Sequence, residues 1–214
     1  MYNRSVIVYL KIFQLFKTRN MARTKVFDEQ EILSKAMKMF WEKGYYATSA
    51  QDLVKGLGIS RSSLYDTFGF KHSLFLQCLT KYRKEWIDPV IESANHITDP
   101  ETYIRGLFDF IKRETFDLNH TRGCFWVNTA IEMDPADSEI SAIAKSIMID
   151  TENAFYKVIK QGQAEGVFTT KHTARLLAKF VLNSISGLRV SVKLGTDEKI
   201  FDNTINMCLS FLKA

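Results

Sequence analysis

The chain has 214 residues, 46% of them hydrophobic and 13% aromatic, enough to bury a core without covalent staples. Its three cysteines, Cys78, Cys124 and Cys208, are odd in number and far apart, which argues against a disulfide framework or a zinc site and for a reducing, cytoplasmic setting. The formal charge of +5 is concentrated at the start: residues 1–27 hold six bases and no acid, leaving 23 bases against 24 acids beyond them, so no global basic field argues for nucleic acid.

Residues 1–20 mix bases with aliphatics, but Lys11 breaks the apolar run and no A-x-A pattern follows, which argues against a signal peptide. We expect 1–20 to be a non-structural extension, with Met21 the better start and Arg23 and Lys25 forming a short basic arm. No uninterrupted apolar stretch reaches the roughly 18 residues that a spanning helix needs, so no membrane partner is expected. Only three prolines occur, and apolar residues recur at helical spacing nearly throughout, which makes the fold class all-α.

A first helix is predicted from Asp28 to Lys43, with Ile32, Leu33, Ala36, Met37, Phe40 and Trp41 on one face and Gly44 as its stop. A short helix opens after the cap candidates Thr48 and Ser49, near Ala50 to Lys55, and Gly56 and Gly58 end it. Ser60 then caps a second short helix with Leu64 and Phe68 four apart and facing inward, which completes a helix-turn-helix. A long helix is expected from Lys71 to about His96, with Pro89 as a kink point. Further helices follow over Pro100 to Phe116 and Cys124 to Glu132. The next is expected to be capped by Asp134, with Pro135 at its first position, and to end at Glu165 before Gly166. The last two are placed at roughly Thr173 to Lys193 and Asp197 to Leu212.

A recognition helix must offer its first turn and outer face to the major groove while its other face packs on the domain, and Ser60 to Thr67 can do both. Arg61, the one long donor at the exposed start, is the first candidate for a guanine edge or a phosphate, with Ser62, Ser63, Tyr65 and Thr67 secondary. Thr48, Ser49 and Lys71 lie at helix starts, where phosphates bind, and would position the domain. The pairs Gly44-Tyr45 and Thr48-Ser49, the turn Gly58-Ile59-Ser60 and the run from Ser63-Leu64-Tyr65 through Phe68 to Lys71 carry a resemblance. By their order and spacing, Asp28 to Phe75 resembles the amino-terminal domain of the TetR family. Asp66 and Phe70 depart from the usual pattern: a carboxylate there would repel phosphates unless it reads cytosine N4, and Phe70 replaces a small polar cap.

The resemblance implies 21–71 as a DNA-binding domain and 72–214 as a helical effector-binding and dimerisation domain. For the dimer, one face of the penultimate helix carries Leu177, Phe180, Ser184 and Leu188, with Gly187 and Ser191 permitting close approach; Ile205 and Leu209 lie on the partner stripe of the last helix. The alternative is that these faces finish an intramolecular core. The run RGCFWVNTAIE, Arg122 to Glu132, resembles a G-C-x-x-x-N-x-A-x-E signature of one group of TetR-like regulators, some of which respond to electrophiles or oxidants. Cys124, at a helix start two residues from Arg122, has the setting of a low-pKa sensor thiol, with Lys193 a conceivable counter-charge; it can also be a small buried hydrophobe. Trp86, Tyr103, Phe108, Phe110, Phe125, Trp126 and Phe155 are expected to wall an apolar ligand pocket with Asn128 as polar anchor, though each alone reads more readily as core. His120 and Cys124 lack a third ligand, so neither metal nor cofactor is expected. Of the acids Glu132, Asp134, Asp137 and Glu139, capping explains two and the others are expected to face solvent.

These readings converge on a homodimeric DNA-binding regulator, not an enzyme. It would act as a repressor released from a palindromic double-stranded operator by a small molecule or a thiol-reactive signal. The alternative is a small all-helical thiol enzyme or ligand carrier with Cys124 as nucleophile; it leaves the helix-turn-helix without a purpose.

Overall fold

The computed structural model describes residues 27–118, 120–133 and 137–213. The extension 1–20, the arm at Arg23 and Lys25, and the predicted cap Asp134-Pro135 lie outside the described residues. Helix α1 (Glu29–Lys43) begins where the Asp28 carboxylate accepts the Gln30 N–H and buries all six of its predicted apolar residues. Helix α2 (Ala50–Leu57) opens on a reciprocal capping box between Ser49 and Asp52, runs past Gly56, and ends at Gly58 in the left-handed conformation, φ 68°. Ser60 caps α3 (Arg61–Phe68), which turns Leu64 and Phe68 inward.

The long helix α4 is continuous but not regular. It comprises an α segment Lys71–Tyr82, a π turn Arg83–Ile87 and a short α segment Asp88–Ser93. The physical reason is Pro89: without an N–H it cannot satisfy the carbonyl one turn back, and the chain widens just before it, so that the Asp88 N–H reaches the Arg83 carbonyl. The widened turn falls at Trp86 and Ile87, two side chains that line the cavity described below.

The body contains α5 (Pro100–Phe116), α6 (Phe125–Glu132), α7 (Ser138–Ala164), α8 (Ala174–Lys193) and α9 (Glu198–Leu212). Helix α7 starts three residues later than predicted from Asp134: the carboxylate that caps it is Asp137, which accepts the Ile140 N–H. Among the described residues no helix is long and apolar enough to cross a membrane, and no group of three His, Cys, Asp or Glu could hold a metal ion.

The apolar core does not divide at residue 71. One cluster runs from α1 through α4 and takes in Cys124, Phe125 and Val127 of α6 with Ile140 and Ile147 of α7; a second joins α5, α7, α8 and α9. Trp126 and Ile91 pack against both. Phe125 is the aromatic bridge, edge-on to Phe75 and Tyr82 at 5.6 Å each and stacked at 6.0 Å on Trp41. Each such buried ring contributes about 1.5–3 kcal/mol, so the DNA-binding helices and body are energetically one unit.

Candidate DNA-binding surface and effector cavity

Helix α3 presents Arg61, Ser62 and Asp66 to solvent. Ser60 Oγ accepts the Ser63 N–H at 3.1 Å and lies 2.8 Å from Ser63 Oγ and 3.0 Å from Ser62 Oγ, so the first turn carries a cluster of hydroxyls. Ser63, Tyr65 and Thr67 are half-buried, with the Tyr65 ring against Phe70 at 5.4 Å. Phe70 is 77% exposed and gives α4 no side-chain cap.

One predicted phosphate contact, Thr48, is corrected, and a second, Ser49, is engaged within the chain. Thr48 is fully buried, with its hydroxyl donating to the Gly44 carbonyl at 2.6 Å; it braces the α1–α2 turn and cannot meet DNA. Ser49 is at the surface, but its N–H and hydroxyl are both taken by Asp52, at 2.9 and 2.6 Å. Lys71 packs its ammonium 4.2 Å from the Tyr45 ring centroid, where desolvation lowers its pKa and the Glu132 charge opposes that shift.

In the body, a cavity of about 90 Å³ is lined by side chains from α4 to α8. Of the expected walls, Trp86, Phe110, Trp126 and Phe155 line it, together with Cys124 and with Ile185 and Arg189 of α8, whereas Tyr103, Phe108 and Phe125 do not. Trp86, Val90, Leu107 and Phe110 also wall an outer groove with Glu85 and Pro89, so the cavity and the surface share one wall between α4 and α5. Asn128 is not part of it: its Nδ2 donates to the Arg122 carbonyl at 2.9 Å and ties the loop to α6.

The expectation of a low-pKa thiol is also corrected. Cys124 is buried, its Sγ 3.1 Å from Tyr82 Oη, and burial pushes its pKa up, not down. Opposing that push are the Arg189 charge, the Tyr82 hydrogen bond and the N–H groups of Val127 and Trp126 at the start of α6. Arg122 lies instead 3.8 Å from the Trp41 ring, where burial lowers its own pKa. Lys193 extends its aliphatic chain beside Gly123: a Cβ there would meet Lys193 Cγ and Cδ at 3.1 Å.

Arg189 and its buried ion-pair partner Glu114, 2.7 Å apart, were missed from the sequence. The signal was present: Arg189 falls on the Leu182, Ile185, Ser186 face of α8 at helical spacing, a charge where the pattern calls for an apolar residue. Glu132 was missed as well; its carboxylate accepts the N–H groups of Tyr45 and Tyr46.

Leu177, Leu188, Ile205 and Leu209, predicted on dimer faces, are buried in the protomer's own core. Phe180, which still packs against that core, and Ser184 are half-buried beside the outer face. There α8 exposes Leu176, Val190 and Leu194, while α9 exposes Ile200, Met207 and Phe211; Phe180 and Phe211, 4.9 Å apart, join the two stripes.

An exposed recognition helix set by a capped glycine turn, fixed to a helical body with an apolar cavity, defines a helix-turn-helix regulator. Residues 32–78 match the model for bacterial regulatory proteins of the tetR family, and residues 101–208 match a tetracyclin repressor-like C-terminal domain. The HTH-type transcriptional regulator YezE of Bacillus subtilis (strain 168) is 31% identical over 193 residues, 90% of this chain and 100% of its own. The HTH-type transcriptional repressor ComR of Escherichia coli (strain K12) is 30% identical over 180 residues, 83% and 85% of the two chains. In fold, the chain resembles a cysteine mutant of the TetR family regulator CifR complexed with 26-base-pair operator DNA. The TM-score is 0.78 at 23% identity, over 89% of this chain and 100% of that one. The chain belongs to the TetR family of transcriptional regulators, which are not enzymes.

Proposed function

We propose that the protein is a homodimeric repressor that binds a palindromic operator through residues 21–71 and releases it when a small apolar molecule fills the cavity of the 72–214 body. In this reading Arg61 reads a base edge or phosphate, Ser62, Ser63, Tyr65 and Thr67 support it, and Lys71 with the uncapped start of α4 holds the backbone. CifR, a neighbour in fold, has been captured on operator DNA, which supports the DNA partner. The dimer would form on the exposed faces of α8 and α9, around Phe180, Ser184 and Met207, where Gly187 and Ser191 permit close approach. That pairing would set the two recognition helices at a spacing of roughly 34–36 Å or a related one.

The observation that carries the effector reading is how the cavity's polar groups are spent. Thr151 Oγ1 donates to the Ile147 carbonyl, Ser186 Oγ to the Leu182 carbonyl, Tyr82 pairs with Cys124, and Arg189 with Glu114. What is left is an aromatic and aliphatic lining, which suits an uncharged apolar compound with at most one acceptor for a spare Arg189 N–H. A specific observation favours a second signal at the same place: Cys124 faces the cavity beside the Arg189 charge, so a thiol-reactive compound small enough to enter would meet it there.

The test is an operator titration with the wild type and with Ser186→Phe, which fills the cavity from within. The filled variant is expected to bind at least about tenfold more weakly, a typical coupling magnitude. Equal affinity, with an unchanged Tm, would contradict control by the cavity.

A further inference from the structure

Helix α6 has one end at the cavity and the other at the DNA-binding helices. Cys124, Trp126 and Val127 at its start line the cavity. Glu132, its last residue, reaches across to the α1–α2 turn, where Oε2 accepts the Tyr45 N–H at 2.9 Å and Oε1 the Tyr46 N–H at 2.8 Å. The approach depends on Gly44, whose φ is 89°: a Cβ there would stand 2.7 Å from Glu132 Oε2.

A carboxylate in the last turn opposes the helix dipole, so α6 itself gains nothing from a glutamate at this position. The gain lies across the gap, in two charge-assisted hydrogen bonds to consecutive backbone N–H groups. The same carboxylate opposes the desolvation of Lys71 at the start of α4. At its other end α6 is held to α1 as well, by the Trp41 Nε1–H donating to the Gly123 carbonyl at 3.2 Å. Eight residues of α-helix span only about 12 Å, and a strut that short moves as a rigid body. A further polar link, His72 Nε2 to Asp137 Oδ2 at 2.8 Å, joins α4 to α7 and does not involve α6.

We propose that Glu132 is a positioning residue that couples the cavity to the recognition helix. Filling the cavity displaces α6, and the carboxylate carries that displacement to the turn from which α2 and α3 extend, re-aiming α3. The coupling rests on the effector reading above; the clamp itself does not.

Two measurements on the full-length protein separate these. Hydrogen exchange at the Tyr45 and Tyr46 amides is expected to quicken about tenfold or more in Glu132→Ala, with Glu132→Gln between, since its carboxamide oxygen still accepts one N–H. Tm is expected to move little. Unchanged exchange at both amides overturns the clamp whatever the cavity does. Operator affinity is then measured for the wild type, Ser186→Phe, Glu132→Ala and the double variant. The cavity-filling loss, about tenfold in the wild type, is expected to shrink below about twofold without Glu132. An equal loss in both backgrounds overturns the coupling, whereas an inert Ser186→Phe in the wild type overturns the cavity reading beneath it.

Discussion

Arg61 stands first in α3, exposed, one residue after the Ser60 cap, whose Oγ lies 2.8 Å from that of Ser63. Arg61→Ala is expected to cost about 1–3 kcal/mol of operator binding and to relax base preference at one position of each half-site. Anisotropy titrations of matched and mismatched duplexes measure this; an unchanged preference would remove Arg61 from the reading set. At Cys124 the expectation is one of pH. Burial raises its pKa above the usual thiol value of 9.0, and raises that of Cys78 in the same direction. A thiol with a raised folded pKa holds its proton more tightly when folded, so the folded state binds more protons than the unfolded one above pH 9. Stability from these thiols is therefore fully present at neutral pH and is lost as pH rises beyond 9. Calorimetric scans should show Tm flat from pH 7 to 8.5 and falling above, by less in Cys124→Ser. Iodoacetamide labelling of native Cys124 should be slow at pH 7 and still climbing past pH 9; a plateau below pH 8 would mark an activated thiolate instead.

The helices follow from local chemistry that a sequence displays openly. Asp28, Ser60, Thr173 and Asp197 cap the helices that they were expected to open, and Gly58 and Gly166 take positive φ where the chain must stop. The α7 cap was misplaced because Asp134 and Asp137 offer the same carboxylate three residues apart, and spacing alone does not choose between them. Pro89 announced a disturbance in α4, but that it would be a π turn aiming Trp86 and Ile87 at the cavity depends on what packs opposite. Close approach between elements is equally invisible in sequence. Gly123 has φ 72°, and a Cβ on it would lie 2.8 Å from the Arg189 carbonyl on α8. Gly123→Ala is accordingly expected to destabilise by about 1–3 kcal/mol, from strain and forced separation of α6 from α8. Urea unfolding gives the value, and a loss under about 0.5 kcal/mol would show that this contact yields freely.

On the scale of the whole molecule, sequence reasoning located the helix-turn-helix because its signals lie within one short stretch. It misassigned the dimer faces because an amphipathic helix at the surface of one protomer and one between two protomers show the same periodicity. Only the fold reveals that Leu177 and Leu209 are buried in the protomer while Met207 and Phe211 stay exposed. Met207, 72% exposed, is the sharpest probe of that surface. Met207→Glu is expected to give monomers in sedimentation and, by loss of bivalent engagement, to weaken operator binding by about 10²-fold or more. A variant that stays dimeric would move the interface elsewhere. Glu132 and Arg189 belong to this scale too, since their roles exist only where separate helices meet.

The central claim is that the folded chain reads a symmetric DNA sequence through α3. Selection of fragments bound from genomic DNA by the purified full-length protein tests it most directly, with Arg61→Ala run in parallel. The account predicts enrichment of an inverted repeat with half-site centres one helical turn, or a related spacing, apart, and its loss in Arg61→Ala. Recovery of fragments with no shared sequence, or the same enrichment by Arg61→Ala, would contradict it.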